Sequence, residues 1–188
     1  MHTNLLLTGR PGIGKSTLIR AVIDSGEFPL AGGFFTEEIQ EKGHRVGFTI
    51  RGLDGQEDVL AHVRSDSPYR VGKYGVNVGA FEQTGVPALE AAIDSEGLIV
   101  VDEIGRMELF SKNFQDAVIA ALDAPLAVLG VIQRRSNPIL DQIRNREDTQ
   151  VIEVTLDNRN QLFNSITELL RGCSPPVPLS QGSSAKPK

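Results

Sequence analysis

The sequence has few of the residues from which covalent cross-links and zinc sites are built. Its 188 residues include one cysteine, Cys173, three histidines and no tryptophan. A single cysteine excludes a disulfide within the chain and a Cys-x-x-Cys metal site. Three scattered histidines also make zinc chemistry a poor explanation. Stability must therefore come from an apolar core, which a chain of this length with 40% hydrophobic residues can build in one domain.

Long apolar and long basic segments are also absent. No apolar run approaches the roughly 20 residues that span a membrane, and Leu5-Leu6-Leu7 is too short for the core of a signal peptide. The formal net charge of -5 argues against a broad nucleic-acid-binding surface. A local basic patch is still compatible with this net charge. From these absences we expect a cytoplasmic protein that does not span a membrane.

One stretch of this otherwise ordinary sequence carries a complete motif. Residues 9–17, GRPGIGKST, fit the phosphate-binding pattern G-x-x-x-x-G-K-[ST] at each defined position. The glycines allow the backbone to turn several N–H groups inward as a nest for phosphate oxygens. Lys15 would contact the β- and γ-phosphates, and Ser16 would bind Mg²⁺. The predicted nucleotide-binding residues of this loop are Gly9, Arg10, Pro11, Gly12, Ile13, Gly14, Lys15, Ser16 and Thr17.

The flanks of the loop have the secondary structure that the motif requires. Residues 4–8 are an apolar run typical of a buried parallel strand. Leu18, Ile19 and Val22 recur at helical spacing after the loop, and Gly26 is a suitable end for that helix. The helix would point the positive end of its dipole at a bound phosphate.

A second informative stretch is residues 97–103, GLIVVDE, an apolar run that ends in two carboxylates. Downstream of a phosphate-binding loop, it has the form of a Walker B strand. Asp102 would then hold Mg²⁺ together with Ser16. Glu103, one residue further, would deprotonate the water that attacks the γ-phosphate. The other interpretation is a pair of strand-end carboxylates that caps the following loop.

The region between these motifs is predicted to contain antiparallel strands over residues 32–39, 45–50 and 59–63, because their connections are short. Glu37 and Glu38 point either to the metal and the attacking water or to solvent. Residues 64–78 are predicted to form a loop that contains both tyrosines, Tyr69 and Tyr74, and several basic residues. This loop either closes over the nucleotide or is a mobile surface segment. Its candidate contacts to the nucleotide are Arg70, Lys73 and Tyr74.

The C-terminal third continues the alternation of strands and helices. A strand over residues 126–132 ends in Gln133-Arg134-Arg135, near the expected ligand crevice. Gln133 could detect the γ-phosphate, and Arg134 or Arg135 could neutralise transition-state charge or be a solvated basic pair. Further predictions are a helix capped by Ser111, a short helix after Asn137, a last strand over 150–155, and a final helix from Asp157 to Gly172. Residues 173–188, rich in Pro, Ser and Gly, are predicted to be a disordered tail.

Four segments together resemble the THEP-type nucleoside-triphosphatases, a family of small stand-alone P-loop NTPases. They are TGRPGIGKSTL, GGFFTEEI, VGKYGVNV and VVDEIGRMELFS. The resemblance covers residues 3–171, with Arg106 where the family pattern has Lys, and leaves the tail without a counterpart. It implies Mg²⁺-dependent hydrolysis of ATP, GTP and other nucleoside triphosphates with broad base tolerance. It also implies a RecA-like sheet. With the strand pattern above, the expected fold over residues 1–172 is a three-layer α/β sandwich, mainly parallel, with an antiparallel hairpin extension from residues 33–63.

Three other functions stay compatible with the residues alone. A P-loop kinase would transfer the γ-phosphoryl group to a nucleotide or an RNA end, with Arg64, Arg70 and Lys73 in its lid. A GTPase-type switch is disfavoured because the guanine-reading pattern N-K-x-D is missing. In the third, hydrolysis would be incidental to binding of RNA or a protein partner. A product assay with and without candidate acceptors separates the kinase from the hydrolase.

Overall fold

The computed structural model describes residues 4–173 as one nine-stranded sheet with helices on both faces. The strands are β1 (Asn4–Thr8), β2 (Leu30–Glu41), β3 (His44–Gly52), β4 (Glu57–His62), β5 (Arg70–Val71), β6 (Tyr74–Val76), β7 (Leu98–Ile104), β8 (Val128–Ile132) and β9 (Thr149–Glu153). The α-helices are α1 (Lys15–Asp24), α2 (Val78–Ala80), α3 (Val86–Ile93), α4 (Lys112–Asp123), α5 (Pro138–Arg144) and α6 (Leu162–Cys173). A π-helical segment, Phe81–Gly85, joins α2 to α3, and a 3₁₀ turn, Glu108–Phe110, precedes α4.

The sheet has a parallel half and an antiparallel half. Its strand order is β5-β6-β4-β3-β2-β7-β8-β1-β9. The five strands from β2 to β9 in this order run parallel, and β3, β4, β6 and β5 continue the sheet with antiparallel pairings. The predicted α/β architecture is confirmed, and its extension is four strands wide rather than a single hairpin. β8 lies between β1 and β7, so its carboxyl end separates the phosphate loop from Asp102 and Glu103.

Alternate side chains of the parallel strands point into two separate apolar cores. Leu5 and Leu7 of β1 pack with α1 and α6 on one face, and Leu6 packs with the α2–α3 segment, α4 and α5 on the other. This is the period of two that a strand buried on both faces requires. The close approach of β2 to β7 requires a glycine at position 33. There φ is +115°, and a Cβ would lie 1.9 Å from the Val100 carbonyl oxygen.

Several local predictions are confirmed by the helices. The Ser111 hydroxyl accepts a hydrogen bond from the Phe114 N–H at 3.1 Å and caps α4. Asn137 caps α5 in the same way, with its side-chain oxygen accepting from the Ile139 N–H at 3.0 Å. Phe114 of α4 and Ile143 of α5 lie on the buried faces of these helices and pack in the core. At both helices the capping residue and the spacing of the apolar residues indicate the same start, which is why the sequence predicts their positions.

Other local predictions are wrong, each for a structural reason. The segment over 64–78 is not one loop, because β5 and β6 form a short hairpin at its C-terminal end. The residues Thr84-Gly85-Val86-Pro87 suggest a break between helices, but the π-helical segment carries the helix through Gly85 without one. Asp157 does not cap α6, which begins only at Leu162 after a turn. Cys173 is the last residue of α6, and the rest of the predicted tail, 174–188, lies outside the described residues.

No helix within residues 4–173 combines the length and the apolar character needed to cross a membrane.

Candidate active site

A cavity of about 590 Å³ opens at the carboxyl ends of β1, β7 and β8. The phosphate loop and the start of α1 form one wall, through Pro11, Gly12, Gly14, Lys15, Ser16 and Thr17. The opposite wall comes from the antiparallel half of the sheet, with Phe48, Leu60 and Tyr74 among its side chains. The cavity is therefore bounded by the parallel half on one side and by the extension on the other.

The phosphate loop has the backbone conformation that a nest of N–H groups requires. Gly12 and Gly14 have φ of +73° and +106°, and Gly14 directly precedes α1. The Lys15 ammonium donates to the carbonyl oxygens of Gly9 at 3.3 Å and Arg10 at 3.1 Å, so it lies across the loop. Of the predicted loop residues, Gly9, Arg10 and Ile13 do not line the cavity, and Ile13 instead packs against the core beneath α1.

Asp102 is almost completely buried, with 2% of its surface exposed. Its Oδ2 accepts hydrogen bonds from the Thr36 N–H at 2.9 Å and the Thr36 hydroxyl at 2.8 Å. Its Oδ1 is buried and has no hydrogen-bond partner within residues 4–173. A buried carboxylate oxygen without a partner is costly, so this atom is suited to a ligand that replaces water.

A Mg²⁺ ion fits the chemistry of these residues. Mg²⁺ is typically held by one or two protein oxygens together with substrate phosphates and water. Ser16 lines the cavity, whereas Asp102 does not, and the Oδ1 of Asp102 is a buried oxygen of the kind that Mg²⁺ binds. Among residues 4–173 no group of three His, Cys, Asp or Glu side chains could enclose a metal ion by itself. The residues thus fit a metal that arrives with a phosphate rather than one in a protein cage.

Glu103 follows Asp102 in an irregular part of β7. Val101 pairs with Gly130 and Ile104 with Ile132, so β7 is one residue longer than β8 between these points. In a regular strand Asp102 and Glu103 would point to opposite faces, and the bulge removes that constraint. Glu103 lines the cavity, and its Oε1 accepts a hydrogen bond from the Gln133 side-chain amide at 3.3 Å.

Glu108 joins Glu103 and Gln133 in a buried polar cluster around Gly105. A Cβ on Gly105 would lie 3.0 Å from Glu103 Oε1, 3.1 Å from Glu108 Oε2 and 3.2 Å from Gln133 Cδ. Glu108 is 4% exposed and also lines the cavity. The sequence places Glu108 in the loop after Glu103 and offers it, with Glu37 and Glu38, only as an alternative to Glu103 as the base.

Burial and mutual repulsion shift the ionisation of this cluster. Burial, followed by the negative charge of Asp102, raises the pKa of Glu103, while Lys15 and the Gln133 amide oppose the shift. Burial and the charge of Glu103 raise the pKa of Glu108 to about 8, although the N–H groups of Gly105 and Glu108 donate to it. Burial and mutual repulsion thus raise the pKa of both carboxyls, and they favour a shared proton in this cluster.

Only some of the residues predicted to contact the nucleotide from a lid line the cavity. Tyr74 and Gln133 line the cavity, whereas Arg70, Lys73 and Arg134 do not. Arg70 donates to the Ser65 and Lys73 carbonyl oxygens at 3.2 and 2.8 Å, which stabilises the β5–β6 hairpin. Arg134 forms an ion pair with Glu153 at 3.3 Å on the far side of the phosphate loop. Both arginines are thus held by partners away from the cavity.

The remaining candidates from the sequence have partners as well. Glu37 forms an ion pair with Arg20 at 2.7 Å, and Glu38 forms one with Arg45. Both glutamates line the cavity with their side chains about half-exposed. Tyr69 does not line the cavity; it is 48% exposed, and its ring lies 5.3 Å from the Phe110 ring. Tyr69 is therefore not positioned to stack on a base held in the cavity.

Comparisons with known proteins agree with this architecture. A family model described as NTPase matches residues 4–167. Nucleoside-triphosphatase THEP1 of Thermotoga sp. (strain RQ2) is 46% identical over 167 residues, 89% of this chain and 95% of the relative. The cancer-related nucleoside-triphosphatase of Homo sapiens is 39% identical over 182 residues, 88% of this chain and 95% of the relative.

Two solved structures are similar in fold over nearly their full length. The crystal structure of THEP1 from the hyperthermophile Aquifex aeolicus matches with a TM-score of 0.80 and 35% identity, covering 89% of this chain and 98% of the other. The solution structure of a human cancer-related nucleoside triphosphatase matches with a TM-score of 0.77 and 37% identity, covering 93% and 99%. Sequence and structure comparisons thus lead to the same group of proteins.

Proposed function

The chain belongs to the nucleoside-triphosphatase family that includes THEP1, and we propose that it uses Mg²⁺ and Glu103 to hydrolyse ATP, GTP and other nucleoside triphosphates to the diphosphate and phosphate. Membership makes it an NTPase. The metal, the general base and the low base selectivity are our proposal. A single observation carries it: a partly buried carboxyl, Glu103, lines the same cavity as Lys15 and Ser16 of the phosphate loop.

Binding of the triphosphate is assigned to the loop. The N–H groups around Gly12 and Gly14 and the Lys15 ammonium would hold the phosphate oxygens. Ser16 and Asp102 would hold Mg²⁺, which when bound neutralises charge on the β- and γ-phosphate oxygens. The parallel half of the sheet thus orients the γ-phosphoryl group toward the carboxyl ends of β7 and β8.

Activation of water is assigned to Glu103. The Gln133 amide donates to Glu103 Oε1 and fixes the carboxylate, which leaves its second oxygen to accept a proton from water. The raised pKa makes this carboxylate a stronger base once it is ionised. Hydrolysis should accordingly increase with pH through the range in which Glu103 loses its proton. The kinase alternative is not favoured, because the relatives are named nucleoside-triphosphatases.

Glu103→Gln separates hydrolysis from binding. The amide is nearly isosteric but cannot accept a proton, while Lys15, Ser16 and Asp102 are unchanged. We expect single-turnover phosphate release to fall by about 10²–10⁴, with triphosphate affinity close to that of the parent. Asp102→Asn should instead weaken Mg²⁺ affinity and triphosphate binding together. Both are measured by calorimetric titration and by phosphate release from ATP with and without Mg²⁺.

Glu90→Gln is the matched control, because Glu90 is exposed on α3 and does not line the cavity. It should leave binding and turnover at the parent values. Parent-like hydrolysis by Glu103→Gln would assign the base to another group, with Glu108, Glu37 and Glu38 as candidates in the cavity wall. Loss of binding together with turnover would make Glu103 a metal or structural residue instead.

A further inference from the structure

Arg45, on β3, is a cation in the cavity wall that belongs to neither nucleotide-binding motif. Its guanidinium is held in place from several sides. Nε donates to the Tyr74 hydroxyl at 3.1 Å, and Nη1 donates to Glu38 Oε1. The guanidinium carbon lies 5.1 Å from the centre of the Phe48 ring, which supports it by a cation–π contact. The side chain is still 44% exposed, so the guanidinium is fixed without being enclosed.

The antiparallel half of the sheet is built so that Arg45 points into the cavity. Ile39 pairs with Gly47 and Gln40 with Arg45, which leaves Val46 as an extra residue in β3. This bulge reverses the alternation of the strand, so Arg45 and Phe48 come to lie on the same face despite their odd spacing. Lys73 adds a hydrogen bond from its ammonium to the Arg45 carbonyl oxygen at 3.3 Å, tying the β5–β6 hairpin to this point.

The charge of Arg45 reaches the catalytic end of the cavity. Together with Lys15, it opposes the increase in the pKa of Glu103. Hydrogen bonds from Arg45 to Tyr74 and Glu38 raise the pKa of Arg45 itself, which keeps the guanidinium charged. Arg106 also lines the cavity, but within residues 4–173 no hydrogen bond or ion pair fixes its side chain. Besides Lys15, Arg45 is thus the cavity cation with a defined position.

We propose that Arg45 contacts the γ-phosphoryl group as it passes to water and neutralises the negative charge of the transition state. The proposal rests on the proposed function and adds a catalytic residue to it. The water oxygen forms a bond to phosphorus, and the bond between phosphorus and the β–γ bridging oxygen breaks. The electron pair goes to the diphosphate, and the proton of water goes to Glu103. Arg45 exchanges no proton; its second terminal nitrogen, Nη2, is available to donate to a phosphoryl oxygen.

Arg45→Gln tests this contact through a mimic of the transition state. We expect kcat to fall by about 10²–10³, the loss typical for removing one donor from such a site. The affinity for Mg²⁺, ADP and aluminium fluoride together should fall by the same factor. The affinity for Mg²⁺ and ADP alone should stay within about threefold, because the contact is made only in the transition state. Calorimetric titration of both ligand sets, with stopped-flow phosphate release, gives all three quantities.

Arg51→Gln is the matched control on the same strand. Arg51 pairs with Glu57 at 3.9 Å and does not line the cavity, so its replacement should change neither turnover nor the affinity for the mimic. Tyr74→Phe keeps the ring but removes the hydroxyl that fixes Nε. It should give a loss of about tenfold in kcat with unchanged ADP affinity. Arg45→Lys retains the charge but not the bidentate donor, so its kcat should fall at least about tenfold. If Arg45→Gln does not fold, Arg45→Lys tests the role of Arg45 in its place.

Two outcomes would overturn the role of Arg45. One is a folded Arg45→Gln variant with the parent kcat and the parent affinity for the mimic. The other is an equal loss of affinity for ADP and for the mimic, which would assign Arg45 to ground-state binding. If the parent hydrolyses ATP and Glu103→Gln does not, either result rejects the role of Arg45 and leaves the proposed function intact. A parent protein that releases no phosphate would reject the proposed function, and the role of Arg45 with it.

Discussion

At the scale of single residues, Glu108 makes the stability of the protein dependent on pH. Its pKa is raised from 4.5 to about 8, first by burial and then by the charges of Glu103 and Asp102. Between these two values the native state holds a proton that the unfolded chain has released. The free energy of unfolding therefore decreases as the pH rises through this window and levels off above it.

Glu108→Gln should remove this contribution, because an amide resembles the protonated acid and does not titrate. We expect the variant to match the parent below pH 4.5 and to exceed its stability above pH 8, by about 2–4 kcal/mol. Urea denaturation of both proteins across that window measures the difference. Parallel curves of stability against pH would show that Glu108 is ionised in the native protein at neutral pH.

Gly105 is the second residue whose replacement has a specific consequence. A Cβ there would lie among Glu103, Glu108 and Gln133, each at 3.0–3.2 Å, so these side chains would have to shift. We expect Gly105→Ala to lower the rate of phosphate release by on the order of 10–10²-fold, since the base would be displaced. Triphosphate affinity should change little. Gly172→Ala is the control, because nothing lies within 4 Å of a Cβ at that position, and it should be as active as the parent.

At the scale of secondary structure, α4 depends on its N-terminal cap. The Ser111 hydroxyl accepts from the Phe114 N–H at 3.1 Å and donates to Glu82 Oε1 at 3.2 Å, and Ser111 is 1% exposed. Ser111→Ala should therefore lower the free energy of unfolding by about 1–2 kcal/mol in chemical denaturation. Ser95→Ala offers a comparison: its exposed hydroxyl bonds only to the Ala91 carbonyl oxygen, and the loss should stay below about 0.5 kcal/mol. Equal effects of the two substitutions would contradict the capping role.

The sequence predicts well the elements whose pattern lies within one continuous segment of the chain. The run of residues 4–8, the loop motif and the apolar spacing of α1 agree with one another, and β1 and α1 follow them closely. The β5–β6 hairpin was missed because its strands have two and three residues, too few for an alternating pattern. The pairing of Ala61 with Val76 that stabilises it is a contact between distant segments.

The site was predictable mainly where a motif fixes it, although Tyr74 and Gln133, named outside the motifs, also line the cavity. Lys15, Ser16 and Glu103 were named from the sequence, and they share one cavity. Arg45 was not, because strict alternation from Phe48 would place it on the opposite face, and only the bulge at Val46 reverses this. Glu108 was named only as an alternative base, because its burial depends on how the 3₁₀ turn packs at the end of β7, which no local pattern specifies.

At the scale of the whole molecule, the broad base tolerance proposed above predicts similar turnover of the four nucleotides. All nucleoside triphosphates share the triphosphate that the phosphate loop binds, and no base-reading motif was found in the sequence. We expect kcat/KM for ATP, GTP, CTP and UTP to agree within about 10²-fold, measured by phosphate release under identical Mg²⁺ concentrations. A preference above about 10⁴ for one base would require a buried hydrogen-bonding pocket for that base.

The position of β1 between β8 and β9 makes the strand that precedes the phosphate loop depend on the C-terminal part of the sheet. Asn4 at the start of β1 pairs with Val128 and Thr149, so both neighbours of the strand leave the ribosome late. The hairpins of β2, β3 and β4 involve nearby residues and can form as soon as they emerge. Until β8 and β9 are made, β1 lacks both of its strand neighbours. We therefore expect a chain truncated before β8 to bind nucleotide poorly, because the strand that precedes the phosphate loop would be unpaired.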